Sequence, residues 1–113
     1  MKLTIKDRII ILNTVLPQYD TRQNIELVKK IRDKISLKGD ENSSVFLINN
    51  GNNMPEVGFK TSEAITNEIE FAFTNEELAY MKQRVDYIDQ QGMFSESTMI
   101  TYDKIIAASP PNT

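Results

Sequence analysis

Apolar positions recur with a helical period at both ends of the chain and with a strand period between them. Ile5, Ile9, Leu12 and Leu16 are spaced by four, three and four residues, which puts them on one face of a helix from Thr4 to Leu16. Val15 widens that face, while Ile10 and Ile11 point elsewhere, so this helix is apolar over more of its circumference than a surface helix needs. Thr4 is placed to cap it, with Asp7 at the acidic position of a capping box, and Pro17 ends it. After a turn at 17–21, with Asp20 or Thr21 as cap, a second helix is predicted from Arg22 to Leu37. Its stripe is Leu27, Val28, Ile31 and Ile35, with Ile25 at the border. Glu26, Lys29, Lys30, Asp33 and Lys34 take its other face, and Glu26 and Lys30 have the spacing of a favourable pair. So short a connection predicts a helical hairpin.

Beyond a polar loop containing Gly39, the period changes. Val45–Ile48 is an apolar run of strand length, Asn49–Asn53 (NNGNN) is a turn signal, and Met54–Lys60 carries Val57 and Phe59 on one face with Pro55 at the strand end. This predicts a β-hairpin. Glu68–Phe73 alternates, with Ile69, Phe71 and Phe73 opposite Glu68, Glu70 and Ala72, as in a half-buried strand. Thr74 and Glu77 form a capping box for a helix from Asn75 to about Gln91, with a core stripe of Leu78, Met81, Val85 and Ile88 and a stop at Gly92. Ser95 caps a last helix to about Ala107, with Met99, Tyr102 and Ile106 facing inward. The expected fold is α+β in the order ααβββαα. A helical hairpin precedes a small, mainly antiparallel sheet of about three strands and two closing helices, in one domain over 1–108 with a frayed tail at 109–113.

Composition narrows the chemistry. The 113 residues include no His, Cys or Trp, so histidine bases, thiolate nucleophiles and His or Cys metal sites are excluded. Only carboxylate, Lys and Tyr chemistry and oxygen ligands remain. The start of the chain is broken by Lys6, Asp7 and Arg8 and lacks a small-residue cleavage site, and no segment has the roughly 20 apolar residues of a membrane span. A soluble, intracellular protein without membrane contact is the expectation. Charge is divided: residues 1–39 hold nine Lys/Arg against four acids (+5), and residues 40–113 hold four against twelve (−8). Such a split serves either two solvated faces or contact with a polyanion or a second copy.

The opening MKLTIKDRIIILNTVLP, the segment Ile25–Leu37, the alternating Glu68–Phe71 and the final pair of helices ending near Tyr102, Asp103 and Lys104 resemble a group of small uncharacterised proteins encoded by bacteriophages and prophage-like elements. The middle, from Ser43 to Thr66, departs from that pattern. The resemblance implies a mobile-element accessory protein of a bacterial cytoplasm, and carries no activity and no site residues with it.

Four constellations compete with plainer roles. Glu68 and Glu70 on one strand face, and Glu76, Glu77, Asp86 and Asp89 along the next helix, are carboxylates that could serve a divalent-metal hydrolase, or simply solvate the surface. Lys29, Lys30, Arg32 and Lys34 offer phosphate contacts for a nucleic-acid-associated factor, against an acidic whole chain. Tyr80, Arg84 and Tyr87 form a stripe off the core face of their helix, of the residue types found at interaction hot spots, or covering a neighbouring helix or the tail. Asn49–Asn53 reads as a hairpin tip or a recognition loop. No phosphate-binding loop, dinucleotide fingerprint, nucleophile elbow or zinc spacing is present. The reading that best fits is a non-enzymatic interaction protein without metal or cofactor. It is expected to self-associate as a homodimer through Ile10 and Ile11, or to bind another phage or host protein. Nucleic-acid binding and metal-assisted hydrolysis are the alternatives.

Overall fold

The computed structural model describes residues 1–37 and 67–108, together with the backbone of the strands at 45–48 and 56–59. The described elements are β1 (Lys2–Leu3), α1 (Ile5–Ile10), a π-helical segment (Ile11–Val15), α2 (Arg22–Ile35), β2 (Val45–Ile48), β3 (Glu56–Phe59), β4 (Ile69–Glu70), α3 (Asn75–Gln90) and α4 (Glu96–Ala107). This is a mixed α+β fold and mostly helical. The loop at 38–43, the turn Asn49–Asn53, Pro55, residues 61–66 and the tail at 109–113 lie outside the described residues.

The first helix starts where its capping box predicts. Thr4 Oγ1 accepts from the Asp7 amide and the Asp7 carboxylate accepts from the Thr4 amide, both at 3.0 Å. It is not one uniform helix to Leu16. From Ile11 the winding loosens to i→i+5 bonding, with the Leu16 amide donating to the Ile11 carbonyl at 3.0 Å. Wider winding turns less per residue. It gathers Ile11, Val15 and Leu16 toward the buried side and leaves Asn13 and Thr14 exposed. Ile11 is therefore fully buried within the chain, at 0% exposure, which corrects its expected place at a dimer interface. Ile10 is only partly exposed and packs against the same core.

Thr21 caps α2 through the Asn24 amide, and Val28, Ile31 and Ile35 are buried as the stripe requires. Glu26 faces Arg22 at 3.9 Å rather than Lys30. In α3 the whole predicted stripe, Leu78, Met81, Val85 and Ile88, is buried. Gly92, at φ +68°, closes α3, with the Met93 amide returning to the Ile88 carbonyl at 3.0 Å. The inward face of α4 is shifted from the expected one: Thr101, Tyr102 and Ile105 are buried, and Met99 and Ile106 face out.

The strands form two separate antiparallel pairs rather than one three-stranded sheet among the described residues. β2 pairs with β3 in the register Val45↔Phe59 to Ile48↔Glu56, as a hairpin would. β4 pairs instead with β1, Leu3 opposite Ile69 and Lys2 opposite Glu70. Only two residues of the alternating stretch 68–73 are in a ladder. Their partner is short because Thr4 already begins a helix. Ile69 is exposed, and Phe73 reaches the core after the chain has left the strand.

Candidate functional site

Among the described residues, the buried charged side chains are all held by hydrogen-bond partners. Asp7, 4% exposed, accepts from Thr101 Oγ1 at 2.5 Å through one oxygen and from Lys104 Nζ at 2.5 Å through the other. Lys104 also reaches Glu68 at 2.6 Å. Burial alone pushes the Asp7 carboxyl up, but the bonds from Lys104, Thr101 and the Thr4 amide outweigh it and hold the group below the ordinary carboxylate range. Lys104 is pushed down by burial and up, more strongly, by its bonds to Asp7 and Glu68, so it stays protonated beyond its usual range.

Glu77 is arranged in the same way. It is buried, accepts from the Thr74 amide at 2.7 Å and from Lys34 Nζ at 2.5 Å, and is held below its ordinary range despite its burial. Arg8, also buried, donates from Nε to the Ile35 carbonyl and from Nη2 to the Ser36 carbonyl, both at 2.9 Å, and lies 5.0 Å from the Phe71 ring centroid. It supplies partners for two carbonyls at the end of α2 that no intrahelical amide reaches.

Contacts of this kind also take up several of the predicted site residues. The Tyr80–Arg84–Tyr87 stripe holds α3 to the α1–α2 connection. Tyr80, 5% exposed, donates its hydroxyl to Asp20 at 2.6 Å, and Arg84 Nε donates to the Val15 carbonyl at 3.1 Å while stacking 5.0 Å over Tyr87. Burial and the Asp20 carboxylate raise the Tyr80 phenol, and the same bond lowers Asp20. Of the three, only Tyr87 remains on the surface. Of the basic residues on α2, Lys34 is committed to Glu77 and lies 5.6 Å from the Phe73 ring, whereas Lys29, Lys30 and Arg32 are exposed. The strand-face acids part company: Glu68 goes to Lys104 and Glu70 to the Met1 amino group at 3.0 Å. No group of three acids is arranged to hold a metal ion among the described residues.

An apolar surface also remains uncovered. Seven large hydrophobic side chains are exposed among the described residues, and four of them fall between Met93 and Ile106. Met99 (46% exposed), Ile100 (68%) and Ile106 (53%) lie outside the buried arc of α4 formed by Thr101, Tyr102 and Ile105, with Ile106 at its edge next to Tyr102. Ile106 lies beside Lys82, Val85, Asp86 and Asp89 of α3, and together they line a shallow groove of about 230 Å³. The sequence held the signal for this face. Helix 96–107 carries apolar residues at 99, 100, 105, 106 and 107 as well as 102, more than one core contact uses.

No protein-family model matches the chain, and no curated protein or solved structure does. Among the described residues no helix is long and apolar enough to cross a membrane.

Proposed function

We propose that this chain is a non-enzymatic accessory protein that works by binding another polypeptide, and that the outer face of α4 is the contact surface. The observation that carries this reading is the exposure of Met99, Ile100 and Ile106 on a helix whose other face is already packed. Covering the exposed parts of these three and of Met93 is worth about 4 kcal/mol before the cost of association, which suits a reversible contact. Self-association expected at Ile10 and Ile11 loses its support, since Ile11 is core. The resemblance to phage-encoded proteins supports a mobile-element origin and a bacterial cytoplasmic setting.

A photo-crosslinking residue placed at Ile100, in the full chain expressed in bacteria, tests the reading. It is expected to give discrete adducts that the same residue at the exposed polar position Gln83 does not. Equal labelling from both positions would sink it. The nucleic-acid alternative keeps three exposed cations, Lys29, Lys30 and Arg32, and loses Lys34 to Glu77. Its mark is affinity for DNA or RNA that falls steeply with salt.

A further inference from the structure

The apolar groove between α3 and α4 has a charged rim of mostly one sign. Asp86 and Asp89 stand on the α3 side, one turn from each other, and both line the groove beside Ile106. Asp103 is exposed on α4, four residues beyond Met99 and three before Ile106, so it shares their face. Within the described residues, neither the Asp89 nor the Asp103 carboxylate takes part in a hydrogen bond or ion pair. Asp86 accepts only from the neutral Gln90 amide, at 3.0 Å. One cation, Lys82, lines the same groove. The other bases of these two helices are held elsewhere, Arg84 on the Val15 carbonyl and Lys104 on Asp7 and Glu68.

A surface of this kind discriminates among its apolar partners by charge. A second copy meeting it face to face would set three aspartates and one lysine against the same net-negative patch, because a two-fold contact pairs a patch with itself. Like charges so juxtaposed oppose docking. An acidic helix meets the same repulsion. A helix with an apolar stripe and Lys or Arg along its flanks satisfies both the groove and its rim.

We infer that the α3–α4 groove receives a basic amphipathic helix from a different protein, with the apolar stripe against Met99 and Ile106 and its cations against Asp86, Asp89 and Asp103. Two features fit such a partner. Methionine adapts to differing apolar shapes, and Met99 is exposed seven residues before Ile106, on the same face of α4. At about 230 Å³ the groove is small for enclosing a whole ligand, so it suits side chains presented by a rod laid across it better than a small molecule held inside it.

This inference rests on the reading of the α4 face as a binding surface, and the experiment separates the two. The probes are synthetic amphipathic helices of about 15 residues, long enough to populate a helix in water, with leucine at one stripe and either lysine or glutamate elsewhere. Their binding to the full chain is followed by fluorescence anisotropy. The lysine peptide is expected to bind at least about ten-fold more tightly than the glutamate peptide, and to weaken as salt rises. The combined variant Asp86→Asn, Asp89→Asn, Asp103→Asn is expected to lose that preference, and Ile106→Ser to weaken the lysine peptide. Glu76→Gln, the loss of a single charge at the far end of α3, is expected to leave binding unchanged where the single change Asp89→Asn weakens it. Urea unfolding of each variant confirms that it folds.

Equal binding of both peptides overturns the basic partner while leaving the apolar contact in place. Binding lost equally in Glu76→Gln overturns it as general attraction to an acidic chain. A dimer seen by light scattering and abolished by Ile106→Ser assigns the groove to a second copy and overturns it as well. Absence of any peptide binding, with adducts still formed at position 100, overturns the partner chemistry alone. Absence of both removes the contact surface itself.

Discussion

Asp7 shows how one side chain takes part in two structures. Its amide and one carboxylate oxygen close the capping box of α1, and the same carboxylate draws Thr101 and Lys104 from α4, more than ninety residues away. Lys104→Met would leave a carboxylate, 4% exposed, without its cation, and the remaining bonds from Thr101 and Thr4 only partly compensate. The expected loss is about 2–4 kcal/mol, read from the urea midpoint at unchanged m-value. Replacing both groups, Asp7→Asn with Lys104→Met, is expected to cost less than the sum of the two single changes, because no lone charge is then buried. The neighbouring isoleucines of the first helix give the apolar counterpart. Ile11→Ala removes a side chain with no exposure and is expected to cost about 3 kcal/mol; Ile10→Ala, at the margin of the core, should cost under about 1 kcal/mol. Similar losses at both positions would contradict the loosened winding that turns Ile11 inward.

At the scale of elements, α4 is where local pattern and tertiary packing part. Ile105→Ala is expected to destabilise by about 3 kcal/mol and Ile106→Ala by well under 1 kcal/mol, although the two are adjacent and chemically identical. Periodicity could not separate them. Apolar residues lie on both sides of this helix, and which side turns inward is set by Tyr102, whose hydroxyl donates to Thr14 at 2.8 Å and whose ring meets Phe94 with centroids 4.8 Å apart. The caps and single-faced stripes were legible. Thr4 with Asp7, Thr21, Thr74 with Glu77, Gly92 and the stripe of α3 all follow from local rules, because both partners lie within a turn of each other. What was not legible depends on residues far apart in sequence: β4 choosing β1, Arg8 closing α2, Tyr80 reaching Asp20, and the π-helical turn that brings Ile11 inward. The candidate contact surface falls between these cases. Its apolar residues were visible in the sequence, but their exposure became clear only once the opposite face of α4 had found the core.

For the molecule as a whole, the same buried charges tie the fold to pH. Asp7, Asp20 and Glu77 all titrate below their ordinary values in the folded chain. A carboxyl lowered on folding contributes stability that is present above its unfolded pKa, near about 4, and is lost as pH falls through the folded value. Lys104 is raised, so its contribution is present below its unfolded pKa, about 10.4, and disappears as pH climbs through the higher folded one. Tyr80 is raised too and favours its neutral form, which adds to the alkaline loss above about pH 10. With no histidine in the chain, no side chain titrates near neutrality from its ordinary pKa. Stability against urea is therefore expected to be flat from about pH 6 to about pH 9, falling on the acid side below about pH 5 and on the alkaline side above about pH 10. The acid limb belongs largely to Asp7 and Glu77, whose carboxylates are buried against Lys104 and Lys34. The double replacement Asp7→Asn, Glu77→Gln should lower the plateau and flatten that limb, since an amide has no proton to gain. An acid limb of unchanged steepness in the double variant would assign the pH dependence to other carboxylates and deny these two pairs their part in holding α3 and α4 to the first two helices.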